Sequence, residues 1–209
     1  MAEKGLEISP DKTNSIVLVG RSFKSLESNP IDPTPVMLSD TIKYLGVLLD
    51  NQNTFKSHIK YVTDKAYLFM NKISRVLPAT FGPKYKNRLL YYYVWRAIIC
   101  YASTAWSNRL HRGKNRATLI AAQRFALIKV TSAYRIVSRD SLCIITGMPP
   151  IEIYLEVLRW YREELKREAN TLTYSDDPCA INSRATRKKA LKIKMQEHLD
   201  ALWNNYVSI

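Results

Sequence analysis

Between Phe55 and Val76 the residues Phe55, Ile59, Val62, Ala66, Phe69, Ile73 and Val76 recur at alternating steps of four and three. An α-helix turns that spacing into one continuous apolar face, so the segment predicts a helix of about six turns. Thr54 stands where an N-cap belongs, and Pro78 and Gly82-Pro83 end the pattern. The remaining faces carry Lys56, Lys60, Lys65, Lys72 and Arg75.

That helix opens a block of unusual charge. The 209-residue chain has a formal net charge of +14. Residues 1–52 hold 5 Lys/Arg and 7 Asp/Glu, residues 53–137 hold 16 Lys/Arg and the single acid Asp64, and residues 138–209 hold 11 and 10. The three segments are therefore net −2, +15 and +1. So dense a block of one sign repels itself, and a polyanion relieves it, which predicts a nucleic-acid partner. A generic basic surface is the other reading. Thirteen Tyr and four Trp argue against disorder. Cys100, Cys143 and Cys179 are an odd, sparse set that suits a reducing compartment, and the expected location is intracellular, cytoplasm and nucleus.

Ahead of the helix the texture is that of strands. Ser15–Val19 is an apolar run ended by Gly20, Pro35–Leu38 follows a Pro-rich loop, and Ile42–Leu49 reads as the strongest strand, closed by Asp50-Asn51. Gly46 inside that run suggests a bulge or the close approach of another backbone. After the first helix, Leu90, Val94, Ala97, Ile98 and Tyr101 predict the apolar side of a second, from about Lys84 to Trp106. Ala117, Ala121, Phe125 and Ile128 predict the same for a third, about Asn115 to Ala133. Ser138 starts a short helix that Gly147 ends. A helix over about 151–170 has the stripe Ile151, Tyr154, Leu158, Tyr161 and Leu165, and an oriented pair Glu163/Arg167. Residues 171–182 read as a linker, and the basic tail from Ser183 as a final helix or a frayed end.

Several chemistries find no support. No GxSxG, Walker A or GxGxxG segment occurs. His58, His111 and His198 stand apart from one another and from Cys, so each reads as a surface or capping residue and no metal ligand set is predicted. The first residues, Met1-Ala2-Glu3-Lys4-Gly5, are polar, so no signal peptide is expected, and the stretch Ala97–Leu110 is too short to span a bilayer, so no membrane partner is expected. In the aromatic run Tyr91-Tyr92-Tyr93 with Trp95, helical spacing assigns most rings to packing, with base stacking as the alternative.

Two segments are more specific. Gly5-Leu6-Glu7-Ile8-Ser9-Pro10-Asp11-Lys12-Thr13 precedes the first strand, and Ile42-Lys43-Tyr44-Leu45-Gly46-Val47-Leu48-Leu49-Asp50 precedes the first helix. With Arg88-Leu89-Leu90-Tyr91-Tyr92 and Gln123-Arg124, they resemble the reverse transcriptase of LINE-class, non-LTR retrotransposons over roughly residues 5–165. In that family the first segment is palm motif D, the second is motif E or primer grip, and the basic helices that follow are the thumb. The resemblance implies that Lys12 sits near the incoming nucleotide's phosphates as general acid to the leaving pyrophosphate; a solvated loop lysine is the other reading. It implies that the second segment is a hairpin holding the primer end, with Tyr44, Leu45 and Gly46 in its turn-forward part and Gly46 admitting a close backbone; a bulged hairpin without a ligand is the other reading. It also implies that Lys56, Lys60, Arg75, Lys84, Lys86, Arg88 and Arg96 lie along a template–primer duplex, gripping phosphates.

The family's motif A aspartate and paired-aspartate motif C do not occur, nor does its Cys/His knuckle; Asp176-Asp177 lies in the linker. The expectation is therefore a fragment lacking the upstream palm and fingers. It would be mainly α with a small N-terminal β part: the end of a palm (1–52, a three-strand remnant), a basic helical thumb (53–147) and a helical connection with a basic tail (148–209). Its partner would be an RNA–DNA hybrid or structured RNA. Alone it would be non-catalytic and hold no cofactor, although the parent enzyme would use Mg²⁺. The alternative is a non-catalytic basic helical protein that binds an acidic protein partner.

Overall fold

In the computed structural model, residues 14–18, 29–31, 34–36, 39–75, 82–110, 113–171 and 178–208 are described. The chain divides into two compact units, Met1–Tyr61 and Val62–Ile209. The boundary falls inside the first helix, and the second unit includes the expected border at residues 147 and 148.

The first unit is built from hairpins. Strands β1 (Asn29–Ile31) and β2 (Thr34–Val36) pair antiparallel, with Pro30 opposite Pro35. Strands β3 (Thr41–Tyr44) and β4 (Val47–Asp50) pair antiparallel, from Thr41 opposite Asp50 to Tyr44 opposite Val47. The expected single strand Ile42–Leu49 is thus two strands, and Gly46 is a turn residue, not a bulge. Leu45 and Gly46 both have positive φ, 46° and 80°, the pattern that lets a two-residue turn follow the twist of its strands. Of the expected strand Ser15–Val19, the described part contributes an isolated bridge at Ser15, whose carbonyl accepts from the Ser39 amide. Among the described residues the strands form two separate two-stranded sheets instead of a three-strand sheet.

Asp50 joins the hairpin to helix α1 (Lys56–Ser74). Its carboxylate accepts from the Thr54 amide at 2.5 Å and from the Thr54 hydroxyl at 2.6 Å, while Thr54 Oγ1 accepts a longer bond, 3.4 Å, from the Lys56 amide. The predicted stripe is buried at Phe55, Ile59, Val62 and Ala66 and half-buried at Phe69 and Ile73; Met70 replaces them in the interior. Val76 lies outside the described residues. Expected as a surface or capping residue, His58 is not at the surface: it is fully buried, and its Nδ1 accepts from the Leu48 amide at 3.2 Å. Burial lowers its pKa, so the neutral ring that this bond needs is the favoured form.

The second unit is helical. Helix α2 (Tyr85–Ile99) buries Arg88, Tyr92, Trp95 and Ile99. These lie on the side opposite the predicted stripe, where Leu90, Val94, Ala97 and Tyr101 are exposed and Ile98 is half-buried. The helix also stops earlier than expected. Ala102 takes a left-handed φ of 50°, and a short helix α3 (Ser103–Trp106) and a 3-10 turn (Ser107–Arg109) follow. The break lets Trp106 enter the core with its indole N–H on the Tyr101 carbonyl at 3.1 Å.

Helix α4 (Gly113–Thr131) lies at the centre of this unit and contacts α2, α5 (Arg139–Thr146) and α6 (Ile151–Thr171). It buries Leu119, Ala122, Ala126, Leu127 and Val130, while the predicted side leaves Ala117 and Ala121 exposed and Phe125 and Ile128 half-buried. Helix α5 matches its sequence signals: the Ser138 hydroxyl caps the Ser141 amide, and Gly147 closes the helix at φ 64°. On α6 the ion pairs are Arg159–Glu163 and Arg167–Glu164, instead of Glu163 with Arg167. Helix α7 (Pro178–Val207) packs on α6, so the tail is a helix. Among the described residues no single helix is long and apolar enough to cross a membrane.

Candidate nucleic-acid interface

Two sets of exposed side chains follow from this architecture, one in each unit. In the first unit the β3–β4 hairpin ends on Tyr44 and Leu45, 62% and 75% exposed. An L residue with left-handed φ costs about 1–2 kcal/mol, so Leu45 is an expensive occupant of a turn that Asn or Gly would fill more easily. On β3, the Lys43 ammonium lies 5.3 Å from the Tyr61 ring centre and within 3.5 Å of its hydroxyl. Lys56 and Lys60 are exposed on α1. The first unit thus carries the expected primer-grip residues together with Lys56 and Lys60.

In the second unit Arg75, Lys84 and Lys86 are exposed. The other two expected cations are engaged by the fold. Arg88 is 8% exposed; its Nε donates to the Pro83 carbonyl at 2.9 Å and its Nη1 to the Ser132 hydroxyl. It ties the entry of α2 to the end of α4 and is a brace, not an exposed phosphate ligand. Arg96 is half-buried, with its guanidinium over the rings of Tyr93 (5.0 Å) and Tyr154 (4.3 Å). Of the aromatic run, Tyr92 and Trp95 are stacked in the core with ring centres 5.2 Å apart, and Tyr93 is exposed. Lys12 lies outside the described residues, as do His111 and Asp176-Asp177.

The sequence reading missed the connection between α4 and α5. There Arg124 donates from Nε to the Val137 carbonyl at 3.0 Å and from Nη2 to the Arg135 carbonyl. The Val137 amide closes a turn onto the Tyr134 carbonyl at 3.2 Å. Tyr134 and Ile136 project from it, 83% and 92% exposed, with exposed Arg135 between them. The available signal was a turn lacking Gly, Pro, Asn and Asp.

Burial pushes the Cys100 and Cys143 thiols up to about 12, so both stay protonated and unreactive at neutral pH. Among the described residues no three His, Cys, Asp or Glu side chains cluster as a metal site. The residues described do not fit the carboxylate-held metal pair of a polymerase.

Comparison with known proteins gives four significant relatives. A retrovirus-related Pol polyprotein from a type-1 retrotransposable element of Nasonia vitripennis is 27% identical over 124 residues, 58% of this chain and 31% of that protein. A putative 115 kDa protein in a type-1 retrotransposable element of Drosophila melanogaster is 24% identical over 169 residues, 78% of this chain and 16% of that protein. A second Nasonia vitripennis Pol polyprotein is 22% identical over 207 residues, 95% of this chain and 50% of that protein. The chain spans half or less of the length of these relatives. No family model matches it. No solved structure matches it.

Proposed function

We propose that this chain, a protein derived from a LINE-class, non-LTR retrotransposon, is the nucleic-acid-gripping part of a reverse transcriptase. The β3–β4 hairpin serves as primer grip and the helices from α1 onward as the thumb on a template–primer hybrid. One observation carries this reading: residues 53–137 hold 16 Lys/Arg and one acid, and most of the expected cations are exposed. Nucleotide transfer belongs to the parent enzyme; by itself the chain grips without catalysing. Lys12 keeps its proposed role as proton donor to the leaving pyrophosphate in that parent enzyme.

The test is a fluorescence anisotropy titration of RNA–DNA hybrid at several salt concentrations. With about five phosphates contacted, log K falls with log salt at a slope of about −4 to −5. Reversing Lys56, Lys60 and Arg75 to Glu weakens binding strongly. Reversing Arg184, Arg187 and Lys188 weakens it less. A flat salt dependence, or a larger loss from the α7 variant, defeats the thumb assignment. The second reading, an acidic protein partner, is favoured by the exposed apolar side of α2. Competition by polyglutamate as effective as by hybrid would support it.

A further inference from the structure

Turns are ordinarily filled by residues that make turning easy, and a turn that presents large apolar side chains to water has been chosen for something else. The Tyr134–Val137 turn is such a case. Its central residues are Arg135 and Ile136, and its first is Tyr134. Neither Tyr134 nor Ile136 adds to the core, since they are 83% and 92% exposed.

The turn is also held in shape. Arg124, one helical turn and more before the end of α4, reaches two of its carbonyls. The Thr131 hydroxyl accepts from the Ala133 amide at 3.3 Å, and Arg88 bridges the Ser132 hydroxyl and the Pro83 carbonyl by donating to each. At the far side Ser138 caps α5. Two arginines and the hydroxyls of Thr131, Ser132 and Ser138 therefore brace a segment whose Tyr134 and Ile136 side chains stand in solvent. Bracing of this kind lowers the ordering penalty when the exposed groups meet a ligand.

The surrounding charge identifies the ligand class. From Lys65 to Val137 there is no Asp or Glu, and Lys84 follows directly on the Pro83 that Arg88 ties to this turn. The first acid beyond it, Asp140, is engaged by Arg139 at 2.8 Å and by the Tyr206 hydroxyl at 2.5 Å. An aromatic ring, a guanidinium and an aliphatic branch in a positive field match a nucleotide: base on ring, phosphate on guanidinium, sugar on the aliphatic side chain. A duplex hides its base faces, so the match is to an unpaired nucleotide.

We propose that the Tyr134-Arg135-Ile136 turn is a binding element for single-stranded nucleic acid, with the Tyr134 ring stacking on an unpaired base and Arg135 contacting the adjoining phosphate. This rests on the nucleic-acid reading given above and adds to it a second substrate feature, a single-stranded extension next to the gripped hybrid. Both projecting side chains are exposed, so their replacement leaves the fold intact.

The experiment measures fluorescence anisotropy of the full chain with three probes: blunt RNA–DNA hybrid, the same hybrid with a single-stranded overhang, and single-stranded RNA of the overhang sequence. Tyr134→Ala weakens binding of the two single-stranded probes about tenfold and leaves the blunt hybrid unchanged. Tyr134→Phe, which keeps the ring, binds all three like the wild type. Arg135→Ala lowers the salt slope on single-stranded RNA by about 0.7. A wild-type chain that binds none of the probes overturns the nucleic-acid reading itself. A wild-type chain that binds them, with Tyr134→Ala unchanged or equally weakened on blunt and overhanging probes, overturns this inference alone; the unchanged case leaves the turn to a protein partner.

Discussion

Helix α2 has two apolar faces, and they have opposite fates. Tyr92, Trp95 and Ile99 point into the core together with Arg88, whereas Leu90, Tyr93, Val94 and Tyr101 point into solvent about half a turn away. By side-chain hydrophobicity the exposed face is the better candidate for burial. What distinguishes the buried face is its capacity to be satisfied by neighbours. The Tyr92 hydroxyl accepts from Gln123 Nε2 at 2.9 Å, the Arg88 guanidinium finds a carbonyl and a hydroxyl, and the Trp95 ring stacks on Tyr92. The interior selects aromatic bulk with hydrogen-bonding ends over aliphatic residues when partners for those ends are present on α4.

That contrast can be broken by mutation, and the largest effect belongs to the deepest ring. Trp95→Ala should cost about 3–5 kcal/mol in urea denaturation, because a large ring leaves a cavity in a helical core. A loss below about 1 kcal/mol would mean that the face is not packed in solution. Arg88→Met keeps the buried stem and removes the charged donor that serves the Pro83 carbonyl and the Ser132 hydroxyl. It should cost about 1–3 kcal/mol and leave the salt slope of hybrid binding unchanged. A slope lowered by about one unit would instead make Arg88 a phosphate ligand.

A third test moves to the other unit, where burial of a titrating group replaces burial of a ring. The folded-state pKa of His58 is lowered by burial, so between 6.5 and that lower value the unfolded chain binds a proton that the folded chain does not. Its contribution is fully present above pH 6.5 and is lost as pH falls toward the folded value, at about 1.4 kcal/mol per pH unit across that window. Hydrogen exchange at the Leu48 amide, which His58 Nδ1 accepts, should therefore lose protection between pH 7.5 and pH 5, and His58→Gln should remove that pH dependence. The smallest effect belongs to the exposed side of α2. Leu90→Ser and Val94→Ser should each change stability by no more than about 0.5 kcal/mol. A cost of about 2 kcal/mol would show that the face is covered in solution, for instance by self-association.

The two faces also explain what the sequence allowed to be read. A period of 3.6 predicts a helix from about Lys84 whichever side is buried, although it carried the helix on to Trp106, past its end at Ile99. When both sides are apolar, the period cannot choose between them. The same ambiguity misassigned α4, whose buried residues Leu119, Ala122, Ala126 and Leu127 interleave with the predicted set. Where one side was basic, as on α1, most of the stripe was placed correctly. Where end signals were chemical instead of periodic, as with Ser138 and Gly147 on α5, both boundaries were readable. Residue preference alone merged the hairpin into one strand, because Leu45 occupies a left-handed turn position usually given to Asn or Gly, whereas the resemblance to a primer grip implied a hairpin with Tyr44, Leu45 and Gly46 near its turn. In the candidate interface the exposed lysines were legible because Lys seldom lies buried. Arg88 was not, because its role depends on Pro83 and Ser132, whose proximity only the fold creates.

The Gln123 side chain has a consequence for how the second unit moves. It is fully buried, donates to Tyr92 of α2 and to the Pro149 carbonyl, and its Oε1 accepts from the Ile151 amide at the start of α6. One amide group thus completes contacts from three segments, and none of them can leave without exposing the others' polar atoms to an apolar interior. Opening of α2, α4 and the first turn of α6 is then a single cooperative event, so their slowest amides should exchange with one common free energy. Helix α7, held by its contact with α6 and by the Tyr206 hydroxyl on Asp140 of α5, takes no part in this lock and can open on its own at lower free energy.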